Sequence, residues 1–126
     1  MKKILFDSDV VIEYLRENPV VVRELDDLAA SQAVLAITPV IEAEVRRGLR
    51  SNERERTERT LSAFECLDLT REIGKRAGEY LRAYSKSHGL ELPDALIAAA
   101  AAIHRFALCT FNWKHYPMSE ILKHRI

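Results

Sequence analysis

The chain has 126 residues, 48% of them hydrophobic and 30% charged, which suits a single domain over residues 1–126 that buries its core without disulfides. Its formal net charge is zero, so no whole-molecule field marks it as a binder of nucleic acid or membrane, and any such signal has to be local. No run nears the ~18 apolar residues of a membrane span, and the apolar stretch behind Met1-Lys2-Lys3 is too short for a signal peptide, so a cytoplasmic location is expected.

In chain order, a short buried strand is predicted over Lys3–Asp7, followed by an amphipathic helix to about Arg16 carrying Val11, Ile12 and Leu15 at helical spacing. Asn18-Pro19 breaks that helix and a second runs over Val20–Ala30. A strand follows at Ala33–Ile37. Thr38-Pro39 then supplies an N-cap and a first-turn proline for a helix to about Arg50. A charge-rich helix is expected over Glu53–Phe64, a third strand over Cys66–Leu69, and a long helix from the cap Thr70 to the stop at Gly89. Pro93-Asp94 opens an alanine-rich helix to about Arg105. Ala107–Phe111 reads as the fourth strand, and the tail can add a fifth near Ile121–His124. Cys66 and Cys109, both in apolar surroundings with no C-x-x-C pair and no histidine at zinc-like spacing, read as reduced core cysteines. There is no repeat, no low-complexity tract and no linker.

Strands separated by helices imply parallel βαβ units and an α/β fold, a three-layer α/β/α sandwich around a parallel sheet of four to five strands. Ligands of such sheets bind at the carboxyl ends of the strands. Asp7 stands at one such end and Asn112 just past another.

Asp7 in "ILFDSDVVIEYL" closes an apolar run, and as part of Asp7-Ser8-Asp9 it can be a cap, a metal ligand or a phosphoryl acceptor. Asp9 or Ser8 fits the capping task better, which leaves Asp7 without a structural role and Asp9 as a cap. In "TPVIEAEVRRGLR", Glu44 shares the face of Ile41, Val45 and Gly48, whereas Glu42 lies about 200° round the helix and reaches Arg46 at i+4. An acid on the inward face is costly unless paired or bound to a cation, which singles out Glu44. Asp94 opens "PDALIAAAAAIH" and also suits the positive end of that helix. Thr110, Asn112 and His115 cluster in "LCTFNWKHYP", where an Asn is ordinarily a turn residue. Three acids from three elements plus an Asn match the needs of Mg²⁺ or Mn²⁺, which take oxygen ligands, keep several waters and can activate one of them against a phosphodiester. Motifs for nucleoside triphosphatases, serine hydrolases and zincins are absent.

The pattern resembles the PIN-domain ribonucleases, specifically VapC-type toxins of toxin–antitoxin pairs, over almost the whole chain. "FDSDVVIEYL" resembles the opening strand with the first acid, here Asp7. "TPVIEAEVRRG" resembles the second block, where an acid precedes a Gly by four residues, here Glu44 and Gly48. "LPDALIAAAA" resembles the third, with its acid at Asp94, and "CTFNWKHYP" the closing block, where a Thr precedes an Asp or Asn by two. That last block often carries acids, whereas here Asn112 and His115 stand in it. The resemblance implies a PIN-like sheet and hydrolysis of RNA to a 5′-phosphate and a 3′-hydroxyl. It also implies Asp7, Glu44 and Asp94 as catalytic ligands of Mg²⁺ or Mn²⁺, Asn112 as a polar support that makes a second metal weaker, a homodimer, and a small antitoxin as partner. Two competing readings are a non-catalytic module on the same fold and a haloacid-dehalogenase-like phosphatase, suggested by Asp7-x-Asp9 but lacking the Thr expected soon after. The run from Arg46 to Arg59, with six arginines against three glutamates, reads either as a solvated helix with pairs such as Glu55–Arg59 or as a basic rim for RNA or the antitoxin.

Overall fold

The computed structural model describes residues 1–126. β1 (Lys3–Phe6), β2 (Val34–Ile37), β3 (Glu65–Cys66) and β4 (Ala107–Cys109) form one parallel sheet in the order β3-β2-β1-β4. Six helices flank it: α1 (Ser8–Leu15), α2 (Pro19–Ala30), α3 (Pro39–Arg47), α4 (Arg54–Ala63), α5 (Arg71–His88) and α6 (Leu92–His104). This is the expected three-layer α/β/α sandwich.

β1 lies between β2 and β4, with Leu5 level with both Ala36 and Leu108. A strand enclosed on both sides and both faces has to be apolar throughout, and Ile4, Leu5 and Phe6 are all buried. α6 is equally enclosed: Ala98, Ala99, Ala100 and Ala101 are buried, and their short side chains let α5 pack closely along it. Phe6 meets Phe64 edge-on with ring centroids 5.9 Å apart, tying the central strand to the end of α4.

The helix signals act as their chemistry requires. Thr38, fully buried, caps α3 by accepting from Ile41 N, and Thr70 caps α5 by accepting from Ile73 N. Asn18 caps α2 by accepting from Val20 N. α5 ends where Gly89 adopts a left-handed φ of 63°.

Several boundaries differ from the sequence reading. α3 stops at Gly48 rather than Arg50, and a short 3₁₀ turn over Ser51–Glu53 leads into α4. β3 is only Glu65–Cys66, because Leu67 makes one last bond to Ile37 O and the chain then leaves the sheet. That shift leaves Cys66 exposed, so only Cys109 is a core cysteine; both are free thiols. β4 ends at Cys109, since Thr110 turns away to bond with acids at the sheet edge. The fifth strand shrinks to a parallel bridge between Leu108 and Lys123, made by Leu108 N to Leu122 O and His124 N to Leu108 O. Short apolar runs specify a strand's existence better than its ends.

The α5 glycines give a test of this architecture. A Cβ at Gly74 meets nothing within 4 Å, so Gly74→Ala should stabilise the protein by about 0.5–1 kcal/mol through helix propensity. A Cβ at Gly89 also has room, yet its left-handed backbone should make Gly89→Ala cost about 1 kcal/mol. Chemical denaturation of the two variants should move the midpoint in opposite directions.

Candidate active site

The chain leaves β1 at Phe6, and Asp7 is held at the sheet's edge by its own N–H, which donates to Cys109 O at 2.9 Å. Its side chain caps α1, with Oδ1 accepting from Ser8 N at 2.8 Å. The sequence reading gave that cap to Asp9 or Ser8. Asp7 takes it because it is the last extended residue, with φ −67° and ψ 159°, whereas Ser8 and Asp9 are already in the first turn.

One cap bond does not satisfy a carboxylate that is only 7% exposed. Asp7 Oδ2 accepts from Thr110 Oγ1 at 2.8 Å and from Tyr116 Oη at 3.0 Å. Tyr116 is buried, and its oxygen also lies 3.4 Å from Asp94 Oδ1, so one phenol stands between two acids. With a single proton to give, Tyr116 serves the nearer carboxylate. Burial first, then the charges of Asp7 and Asp94, push the phenol's pKa upward and keep it a donor.

Asp94 sits in the first turn of α6, and its Oδ2 is 3.3 Å from His115 Nδ1. Burial raises its pKa, the His115 ring opposes the rise, and the charge of Asp7 adds to it. Glu44 comes from α3. Its pKa is also raised, chiefly by burial; the Ser8 hydroxyl opposes this, and Asp7 and Asp94 reinforce it. Glu42 faces the other way and pairs with Arg46, which also holds Glu58. The two glutamates are separated as the helix geometry requires, and Asp7, Glu44 and Asp94 share one electrostatic neighbourhood.

Asn112 does not touch any of these acids. Its side-chain amide is 2.8 Å from His115 Nδ1, and its backbone N–H donates to Thr110 Oγ1 at 3.0 Å. Asn112 reaches Asp94 only through the His115 ring.

Asp9 is the residue that the sequence reading placed least well. Its Oδ2 accepts from Phe111 N at 3.1 Å and approaches Thr110 Oγ1 at 3.4 Å, clasping the loop that leaves β4. Its Oδ1 is buried with no hydrogen-bond partner. Burial, followed by the charge of Asp7, pushes its pKa up to about 6, against the pull of the Phe111 N–H. A carboxylate two residues after a strand-end Asp was the available sequence signal. Tyr116 offered none beyond lying in the same block as Thr110 and Asn112.

No three Asp, Glu, His or Cys side chains converge into a tight ligand cluster. The donor set still fits a hard divalent cation, because Mg²⁺ and Mn²⁺ keep several waters and need few direct protein ligands. Three acids on separate elements, two of them with pKa values raised partly by their neighbours' charge, and an orphaned carboxylate oxygen on Asp9, are what such a cation would relieve. Three of the six arginines between Arg46 and Arg59 are engaged in ion pairs, Arg46 with Glu42 and Glu58, Arg56 with Glu17 and Arg59 with Glu55. Arg47, Arg50 and Arg54 enter no ion pair, so the run combines paired and free cations across α3, the 3₁₀ turn and α4.

The chain's relatives identify its family. The PIN domain family matches residues 4–120. Ribonuclease VapC10 of Mycobacterium tuberculosis is 41% identical over 121 residues, covering 95% of this chain and 90% of that protein. Ribonuclease VapC19 of the same organism is 30% identical over 115 residues, covering 90% and 92%. A toxin–antitoxin complex from Klebsiella pneumoniae contains a chain that superposes with a TM-score of 0.76 at 27% identity, covering 98% of this chain and 99% of that one. The haloacid-dehalogenase alternative is thereby set aside. With the family spanning nearly every residue from β1 to the loop beyond β4, this chain belongs to the PIN-domain ribonucleases of the VapC type.

Proposed function

We propose that the chain is a metal-dependent endoribonuclease and the toxin half of a toxin–antitoxin pair, with Asp7, Glu44 and Asp94 as the ligands of Mg²⁺ or Mn²⁺. The observation that carries this reading is that three acids, one just past β1, one from α3 and one from α6, share one electrostatic neighbourhood, with the pKa values of Glu44 and Asp94 raised by burial and by their acidic neighbours. A cation bound there supplies charge to polarise a phosphodiester and to acidify a water. The chain's own groups do the positioning. Thr110 and Tyr116 hold the Asp7 carboxylate from two directions, and Asn112 and Asp94 meet the His115 ring at the same nitrogen, Nδ1.

The antitoxin partner is supported by the description of the Klebsiella pneumoniae neighbour as a toxin–antitoxin complex. A groove of about 300 Å³ between α2 and α4 is lined by Leu25, Ala29, Leu35, Ala63 and Phe64, with Asp26 and Arg59 among its polar residues, and offers an apolar seat for a small protein segment. The acidic pocket would also attract a basic side chain from that partner. The homodimer belongs to the same proposal and rests on the resemblance alone.

Cleavage of a single-stranded RNA should stop in excess chelator and return with Mg²⁺ or Mn²⁺. Asp7→Asn should remove nearly all activity with a native circular dichroism spectrum, while Glu42→Gln on the far face retains it. Full cleavage in chelator, or a dead Glu42→Gln beside an active Glu44→Gln, would overturn the assignment.

Asn112→Ala should lower activity roughly 10–100-fold, less than Asp7→Asn, because it acts through His115. His115→Ala should have a similar effect, and the double variant should be little worse than either single one. Additive losses would show that the two side chains act separately.

Stability should report the burial of Asp9 and the charge of Asp7 beside it. Asp9 binds its proton more tightly folded than unfolded, so between about pH 4 and about 6 the native state holds more protons than the unfolded state. The contribution of Asp9 to stability is therefore fully present below its unfolded pKa and fades as pH rises through about 6. Asp9→Asn keeps an acceptor for Phe111 N, so its stability relative to the unsubstituted protein should improve by on the order of 1–2 kcal/mol over that rise, the figure being reduced for partial exposure. Metal-free melting curves at pH 4, 5, 6 and 7 measure it, and a constant difference across them would count against the raised pKa.

A further inference from the structure

The chain is neutral overall, yet its last fifteen residues are not. Beyond Thr110 the loop carries Phe111, Trp113 and Lys114, and the tail carries Lys123 and Arg125. The parallel bridge of Lys123 to Leu108 lays the tail along the outer edge of β4. Because that bridge is parallel, the residues after Lys123 advance toward the end of β4 from which Thr110 leaves, the end that holds the acids. His124 pins the tail there through a 2.9 Å contact with Glu24 on α2. The Lys123 ammonium lies 5.5 Å and the Arg125 guanidinium 4.8 Å from the centre of the Trp113 ring. Lys114, Lys123 and Arg125 are exposed and enter no ion pair with a carboxylate, unlike Arg46, Arg56 and Arg59. Phe111 beside them is 48% exposed, unusual for an aromatic next to a buried strand. Asn112 and His115, which bracket Trp113, lead directly to Asp94.

An acidic pocket repels a polyanion, so a nuclease of neutral net charge needs cations and stacking surface beside its acids. We infer that Phe111 and Trp113, with Lys114, Lys123 and Arg125, form a platform for the single-stranded RNA that flanks the cleaved phosphate. Bases stack on the aromatic and guanidinium planes while phosphates meet the cations. The strand has to be single, because a paired base has no free face to offer. This inference rests on the nuclease reading for its choice of polymer, and it adds a place for the substrate that the acids do not provide.

Trp113 is the only tryptophan, so its fluorescence reports the platform alone. A single-stranded RNA of ~12 nucleotides, added to the protein in chelator so that nothing is cut, should quench that emission saturably. The same sequence fully base-paired should not. Lys123→Gln with Arg125→Gln should weaken binding about tenfold and flatten the plot of log affinity against log salt by about 1.4, the share of two cations on a single strand. Followed by anisotropy of labelled RNA, Trp113→Leu should weaken binding and Trp113→Phe should restore most of it, with melting curves to show that each variant folds. In turnover with Mg²⁺, the loss should fall on KM rather than on kcat. Unchanged affinity and salt slope in the double variant, or a loss traced only to unfolding, would make the tail a structural clamp and overturn the platform. Cleavage by the unsubstituted protein without quenching overturns the platform alone. Quenching by single-stranded RNA that no metal leads to cleavage sustains the platform and overturns the nuclease reading.

Discussion

A carboxylate buried at the end of the central strand needs donors that its own stretch of sequence cannot supply, and much of the site is arranged to provide them. Ser8 N gives one bond, but the other two come from Thr110 and Tyr116, 103 and 109 residues along the chain. Parallel pairing makes this possible. Because β1 and β4 run side by side with Phe6 level with Cys109, the residue after each strand emerges at the same edge, and Asp7 meets Thr110 there. In an antiparallel pair the end of one strand would face the start of the other. The requirement to satisfy Asp7 thus fixes where β4 stops, which way the following loop turns and why a tyrosine lies buried behind it.

The same network concentrates negative charge. The charge of Asp7 helps raise the pKa values of Asp9, Glu44 and Asp94, that of Asp94 adds to Glu44, and none of the four has a lysine or arginine in direct contact. A structural ion-pair cluster would alternate signs, as Glu42, Arg46 and Glu58 do on the outer face of α3. Unrelieved carboxylates cost stability, and sequences keep such arrangements where a site is prepared for something absent from the folded chain itself. The hard cation proposed for the site would relieve them.

How far the sequence told this depends on the range over which each constraint acts. Helix caps, the stop at Gly89 and the two faces of α3 are decided within four or five residues, so Thr38, Thr70, Glu42 and Glu44 could be placed from spacing alone. Asp9 could not. A cap was the local reading, but its partner is a backbone N–H 102 residues away, and only the β1–β4 pairing brings the two together. Tyr116 was invisible for the same reason, since nothing in "WKHYP" says that a phenol will stand between two carboxylates. Cys66 was misplaced because apolar neighbours in sequence are not neighbours in space at a two-residue edge strand. Asn112 reads from the sequence as a polar support, and its contact with the acids runs through a histidine three residues on, a route that spacing alone does not show.

The division of labour between elements bears on how such a protein changes. The acids are held by strand ends and by helices that pack into the core, where a shift of one methylene is felt. Asn112, Trp113 and Lys114 stand on a loop, and Lys123 and Arg125 on a tail joined to the sheet by a single bridge. Substitution of Lys114, Lys123 or Arg125, all exposed, disturbs few buried contacts, whereas Trp113 also packs against the core. Loops carried by a rigid scaffold are where recognition diversifies. The loop leaving β4 is also where the two parts meet, because His115 faces Asp94 while Trp113, two residues earlier, stacks with the tail. On the platform inferred above, a chain that alters its tail changes what it holds without changing how it cuts. One that alters Asn112 or His115 changes both together.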